Sequence, residues 1–95
     1  MMHEIRWTNT AKEEYASLLI NVYSKSVDAA IDLDERMEVL QDRLLLFKSF
    51  CPPHKTISTM RRCVETPYIS LVYDVLDNEI IIVSVFDSRS AHPLN

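Results

Sequence analysis

Two apolar runs meet at a two-residue polar break, and that meeting constrains the fold more than anything else in the chain. Residues 68–76 set Ile69, Leu71, Tyr73 and Val75 against Tyr68, Ser70, Val72 and Asp74, an alternation with the period of a strand. Residues 79–87 are apolar on both faces until Ser84 and Asp87, the pattern of a strand in the middle of a sheet. Between them stand Asp77 and Asn78. The chain contains no glycine, so turn positions with positive φ fall to Asn and Asp, which tolerate it. The spacing predicts a tight β-hairpin. Its second strand runs on into the polar tail Asp87-Ser88-Arg89-Ser90-Ala91-His92-Pro93, which delivers one Arg and one His to a surface.

The rest of the chain supplies what this hairpin packs against. Residues 3–8 alternate, with Ile5 and Trp7 on one side, and predict a short amphipathic strand. Thr10-Ala11-Lys12-Glu13 has the form of a capping box. Ala11, Tyr15, Leu18, Leu19, Val22 and Tyr23 follow at helical spacing, which predicts a helix over 9–24. Ser26 is placed to cap a second helix, with Asp28 in its first turn. Ala30, Leu33, Met37, Leu40, Leu44 and Phe47 form its apolar seam. So short a connection makes the two helices an antiparallel hairpin. Pro52 and Pro53 stop the second helix. Residues 55–65 form a weaker strand in which Arg61 and Arg62 interrupt the two faces, as on a sheet edge. The order is β-α-α-β-β-β. It predicts an α+β fold in which the helix hairpin covers one face of a small, mainly antiparallel sheet.

Length and charge narrow the function. Ninety-five residues make a single domain, 1–95, which buries roughly 60–65% of its unfolded surface, so stability is modest and a partner matters. The opening Met1-Met2-His3-Glu4 shows no signal-peptide pattern, and the apolar run Ile80 to Val83 is too short to span a bilayer. No membrane association is expected, and the cytoplasm is the expected location. There, Cys51 and Cys63, which lack CxxC spacing, are expected as free, buried thiols. Net charge is −4, which opposes nonspecific nucleic-acid binding by the whole molecule. The charge is unevenly spread, however. Asp28 to Asp42 holds six acids and one Arg, whereas Arg43 to Val64 holds five cations and no acid. An acidic helix and a basic edge follow.

No metal or cofactor is expected. His3, His54 and His92 are scattered, no Cys/His pair has ligand spacing, and a phosphate-cradling loop needs glycine. The candidate chemistry is a set of cations for phosphate or RNA: Lys55, Arg61, Arg62 and Arg89. Adjacent residues in a strand point to opposite faces, so only one of Arg61 and Arg62 can join Arg89 on a given surface. The Arg89 fork either clamps a phosphate or carboxylate or pairs with Asp87 or the acidic helix. His92 titrates in the range useful for general acid–base work, unless it is simply an exposed tail residue.

Taken together these stretches resemble the RelE/ParE superfamily of toxins from type II toxin–antitoxin systems. The resemblance rests on the strand ending in Trp7-Thr8, the helix with Ala11 and Tyr15, and Phe50-Cys51-Pro52 closing the helical hairpin. Tyr68-Ile69-Ser70-Leu71-Val72-Tyr73 is similar to the family's Y-x-x-L-x-Y strand, and Val85 to Pro93 to its F-D-x-R-x-x-P ending. It implies the RelE/ParE-like fold and a toxin of plasmid-stabilisation type held silent by a cognate antitoxin. RelE-like members cut messenger RNA in the ribosome, and ParE-like members block DNA gyrase. For the RelE chemistry Arg89 and Arg61 would hold phosphate and His92 would move protons. Ser70, however, stands where RelE-like toxins carry an Arg, and Asn95 closes the chain without the family's terminal Tyr. The ParE-like action needs no catalytic set. ParE-like inhibition of a protein target is therefore the expectation, with the endoribonuclease, or a member that only binds its antitoxin, as the alternatives.

Overall fold

The computed structural model describes residues 4–66 and 68–95. The elements run β1 (Glu4–Trp7), α1 (Asn9–Lys25), α2 (Val27–Leu46), β2 (Met60–Thr66), β3 (Ile69–Leu76) and β4 (Glu79–Asp87). The four strands form one sheet in the order β1-β4-β3-β2. β1 lies parallel to β4, and the other two pairings are antiparallel. The predicted α+β order and hairpin positions hold. β4 is central and β2 is at an edge. Of the predicted first strand, His3 lies outside the described residues.

Local chemistry explains most boundaries. Asp77 takes φ 52° in the β3–β4 turn, the left-handed conformation that a chain without glycine must assign to an Asp or Asn. Ser26 caps α2 by accepting the Ala29 amide at 3.1 Å. The α1 cap sits two residues before the predicted capping box, on Thr8, whose hydroxyl accepts the Ala11 amide at 3.0 Å. The reason is tertiary. Thr8 Oγ1 also donates to the Val83 carbonyl and the Thr8 amide to that of Ile82, so this residue is pinned where β1 leaves β4.

Two positions assigned to apolar faces lie outside the core. Tyr23 is 60% exposed and Phe47 is 68% exposed. Phe47 has left the helix, where it forms the C-cap. β2 is shorter than predicted, because residues 55–59 turn around His54 instead of pairing.

The core lies between the helices and one face of the sheet. Leu33, Met37, Leu40 and Leu44 of α2 meet Leu71, Tyr73, Ile80, Ile82 and Val85. A register shift between Val72 and Tyr73, paired with Ser84 and Ile82, leaves Val83 as an extra residue in β4. That bulge resets the alternation, so Ile82 and Val85 both face the helices while Ser84 and Phe86 fall on the opposite face.

Cys51 and Cys63 are corrected here: they form a disulfide, with Cα atoms 5.2 Å apart. The pair joins the loop after α2 to the edge strand β2, and both residues belong to the core cluster. The loop is fastened twice more. Tyr73 donates its hydroxyl to the Lys48 carbonyl at 2.7 Å, and Arg61 donates to the Cys51 carbonyl at 2.7 Å. No described helix is long and apolar enough to cross a membrane.

Candidate functional site: the open sheet face and the tail that crosses it

The helices leave one face of the sheet uncovered, and the tail after β4 folds back over part of it. Arg62 on β2 points to this face. Its Nε and Nη2 donate to Ser70 Oγ at 3.1 and 2.9 Å, and Nη2 also donates to Asn95 Oδ1 at 2.8 Å. Its guanidinium carbon lies 5.5 Å from the centre of the Phe86 ring. His92 stacks on the same ring, 4.1 Å away and 5° from parallel. Asn95 closes the tail on itself by donating to the Ser88 and Ser90 carbonyls. Lys55, Arg62, Ser88, His92 and Asn95 line one open cavity of about 650 Å³.

His92 is held from several sides. Its Nδ1 accepts the Leu94 amide at 3.0 Å. A ring nitrogen that accepts an N–H carries no proton, so the hydrogen sits on Nε2. Nε2 lies 2.8 Å from Glu14 Oε2 and 3.2 Å from Ser84 Oγ. Glu14 Oε1 in turn accepts the Ser84 hydroxyl at 2.7 Å and the Val85 amide at 3.3 Å. This carboxylate does two things. It satisfies the stretch of β4 that extends beyond β1, and it anchors the tail imidazole.

Arg61 points the other way, as strand alternation requires, and donates to loop carbonyls. Arg89 does not line the cavity that Lys55, Arg62 and His92 share. It grips Asp87 through Nε and Nη2 at 3.1 and 2.8 Å, and its guanidinium carbon sits 4.1 Å from the centre of the Tyr68 ring. Side-chain and backbone hydrogen bonds from Arg89 hold the Asp87 carboxyl down at about 2, well below the usual carboxylate range. Arg89 lines a second cavity, about 510 Å³, between the helices and the sheet, together with Lys25, Leu18, Val22, Leu33 and Tyr68.

The structure therefore groups Lys55, Arg62 and His92, turns Arg61 onto the loop, and sets Arg89 beside Asp87 and Lys25. Sequence reading missed Glu14, Ser84 and Asn95. Glu14 reads as an ordinary helix-surface acid, and no pattern connects it to a residue 78 positions away. The polar tail, read as bringing an Arg and a His to a surface, was the nearest signal in the sequence.

No family model and no curated protein sequence matches the chain. Its structural class is nevertheless defined: two helices on a four-stranded sheet in this order and topology form the RelE/ParE-type toxin fold. The particular structures that share it include the chromosomal ParDE toxin–antitoxin system of P. aeruginosa. That match has a TM-score of 0.72 and 14% identity, over 90% of this chain and 96% of that one. The YoeB/ParE toxin of Agrobacterium tumefaciens matches with a TM-score of 0.64 and 12% identity, over 88% and 96%. The DinJ–YafQ toxin–antitoxin complex of E. coli gives 0.62 and 11%, over 96% and 98%. At these identities the likeness is one of fold.

Proposed function

We propose that the chain is the toxin of a type II toxin–antitoxin pair, silenced by a cognate antitoxin, and that it acts in the ParE-like manner by binding a protein target such as DNA gyrase. The observation that carries this reading is the internal engagement of every candidate catalytic group. A phosphoryl-transfer site needs preorganised donors free to meet developing charge, and a proton carrier with a free nitrogen. Here Arg89 is bound to Asp87, Arg61 to loop carbonyls, and both nitrogens of His92 to Leu94 and Glu14. A protein that acts by docking needs none of them. The shared fold with ParDE, YoeB/ParE and YafQ structures supports the toxin reading, and two of those structures are toxin–antitoxin systems.

Surface features support binding to proteins. Ile20, Tyr23, Val27 and Ile31 are exposed around the tip of the helical hairpin. The cavity beside them has Leu18, Val22 and Leu33 in its lining and charges of both signs, Lys25 and Arg89 with Asp32 and Asp87. Apolar surface edged by charge is the make-up of a protein-binding site.

One arrangement favours ribosome-dependent RNA cleavage as a second reading. Arg62 reaches from β2 over Ser70, so a guanidinium occupies the place that Ser70 leaves without one, and Lys55 and His92 line the same cavity. Expression without antitoxin separates the two. A block of gyrase supercoiling with intact message supports the ParE-like action. Message cleavage that disappears in Arg62→Ala and His92→Ala overturns it in favour of the nuclease. Absence of any growth defect leaves a chain that only binds its antitoxin.

A further inference from the structure

Leu94 is held at both of its backbone groups by imidazoles. Its amide donates to His92 Nδ1 at 3.0 Å, and its carbonyl lies 2.6 Å from His54 Nε2. The two histidines come from different segments of the chain. His92 belongs to the tail itself, and His54 to the loop between α2 and β2. His54 is only 6% exposed. Its Nδ1 faces the amides of Thr56 and Ile57, both at 3.2 Å, and the Thr56 hydroxyl at 3.3 Å. A backbone N–H can only donate. Nδ1 of His54 is therefore an acceptor, and its Nε2 carries the hydrogen that goes to Leu94.

Both rings are thus fixed as neutral Nε2–H tautomers, and in both the lone pair on Nδ1 is in use. A second proton must land on that lone pair. In His92 it turns the acceptor of the Leu94 amide into a donor facing a donor. In His54 it does the same against two amides in a buried turn, and the ring must leave its seat.

The charged groups around each ring differ. His92 faces the Glu14 carboxylate from α1, with Arg62 of β2 beside the shared Phe86 ring. His54 has Lys55 on its own loop, and its loop is tied to Arg61 and Arg62 of β2 through Pro53 and Pro52. Among the described residues His54 makes no ion pair to a carboxylate.

We propose that residues 88–95 form a pH-sensitive strap over the open sheet face, closed while His54 and His92 are neutral and released when they take up protons. The closed strap covers Phe86, which is 4% exposed, and Ser70, which is fully buried. Release frees Arg62 from Asn95 and, because His92 leaves with the strap, bares the Phe86 ring beside Arg62. The surface so uncovered is a cation beside an aromatic face, a recognition surface for a planar anionic partner. The direction is set by proton count. At His92 the Glu14 carboxylate beside Nε2 also favours a second proton in the closed state, so the direction rests on His54, whose buried Nδ1 faces two amide donors and accepts a proton only when the ring leaves its seat; acid therefore favours opening. This device follows from the bonds to Leu94 and does not depend on the toxin reading.

The test uses the full chain, ¹⁵N-labelled, at pH 8 and pH 5. Long-range imidazole spectra at pH 8 are expected to show the Nε2–H tautomer for both His54 and His92. Amide exchange is expected to show Leu94 losing protection by about tenfold at pH 5, the scale of one intramolecular hydrogen bond, while Leu71 and Ile82 in the sheet keep theirs. H54Q and H92Q are expected to leave the Leu94 amide unprotected already at pH 8. An Nδ1–H tautomer in either ring overturns the proposal. So does unchanged Leu94 protection at pH 5, or loss of protection at Leu71 and Ile82 together with Leu94, which is global unfolding. If the variants fail to fold, the titration of the unaltered chain decides alone.

Discussion

Reduction of the Cys51–Cys63 bond should cost this protein a large share of its stability without changing its folded structure. The two cysteines are 12 residues apart. Chain-entropy loss for a closed loop of that length is roughly 9.5 cal/mol/K, or about 3 kcal/mol at 25 °C. Both thiols are core residues, and a reduced Cys packs as a small hydrophobe, so reduction opens no cavity. The loop also keeps its other ties, from Tyr73 to the Lys48 carbonyl and from Arg61 to the Cys51 carbonyl. The expected effect therefore lies in the unfolded state. A domain of this size has about 5–15 kcal/mol in total, and 1 kcal/mol moves its melting point by about 4–8 °C. Urea unfolding followed by circular dichroism, with and without a phosphine reductant, gives the difference directly. The reduced chain should unfold with a lower midpoint and a steeper slope, because its unfolded ensemble is more open. Native spectra should superimpose. Two results refute the reasoning: oxidised and reduced curves that agree within about 0.5 kcal/mol, or two titratable thiols in the folded protein purified without reductant.

Two smaller perturbations test the pairs around the sheet. Arg89→Ala should return the Asp87 carboxyl from about 2 towards the ordinary carboxylate range, read by carbon NMR over pH 2–6. Because the folded value is depressed, the stabilisation is complete above roughly pH 4 and disappears as pH falls towards 2; the variant should lose that part of its acid dependence. Glu14→Ala strands the Val85 amide and the Ser84 hydroxyl in a largely buried place and should cost about 1–3 kcal/mol in urea unfolding. Glu14→Gln, which retains an acceptor oxygen, should cost less, and equal losses would contradict the proposed role of that oxygen.

The fold was legible where a local rule and the tertiary need agreed. Asp77 had to take the turn because no glycine could, and the α2 seam from Ala30 to Leu44 is buried as its spacing requires. It was illegible where two residues met the same local rule. Thr8 and Thr10 are both competent caps, and the choice fell to Thr8 through its bonds to the Ile82 and Val83 carbonyls of β4. Arg61 and Arg62 had to diverge, yet only the pairing of Arg61 with Tyr73 and of Arg62 with Val72 decides which faces the helices. The cysteines show the same limit. Nothing in the spacing of Cys51 and Cys63 says that a loop and an edge strand approach to 5.2 Å, and an argument from cellular compartment pointed to free thiols.

The tail decides what the open face can do. With the strap closed, the Arg62 fork is divided between Ser70 and Asn95, and His92 has no free nitrogen. Phosphate binding in that state would have to displace Asn95, and proton transfer would have to break the bond to Glu14 or to Leu94. Binding to a protein partner through the helical tip and its neighbouring cavity requires neither. The two functional readings therefore correspond to two states of one segment. The proposed docking surface is exposed in the folded structure as it stands. The Arg62 cation becomes available only when residues 88–95 lift, and His92 lifts with them. A nuclease built on this face would have to be most active under conditions that unlatch Leu94, whereas an inhibitor that works by docking would be indifferent to them. Toxicity that does not change when the strap is loosened by H54Q would place the active surface on the helical side, away from the tail.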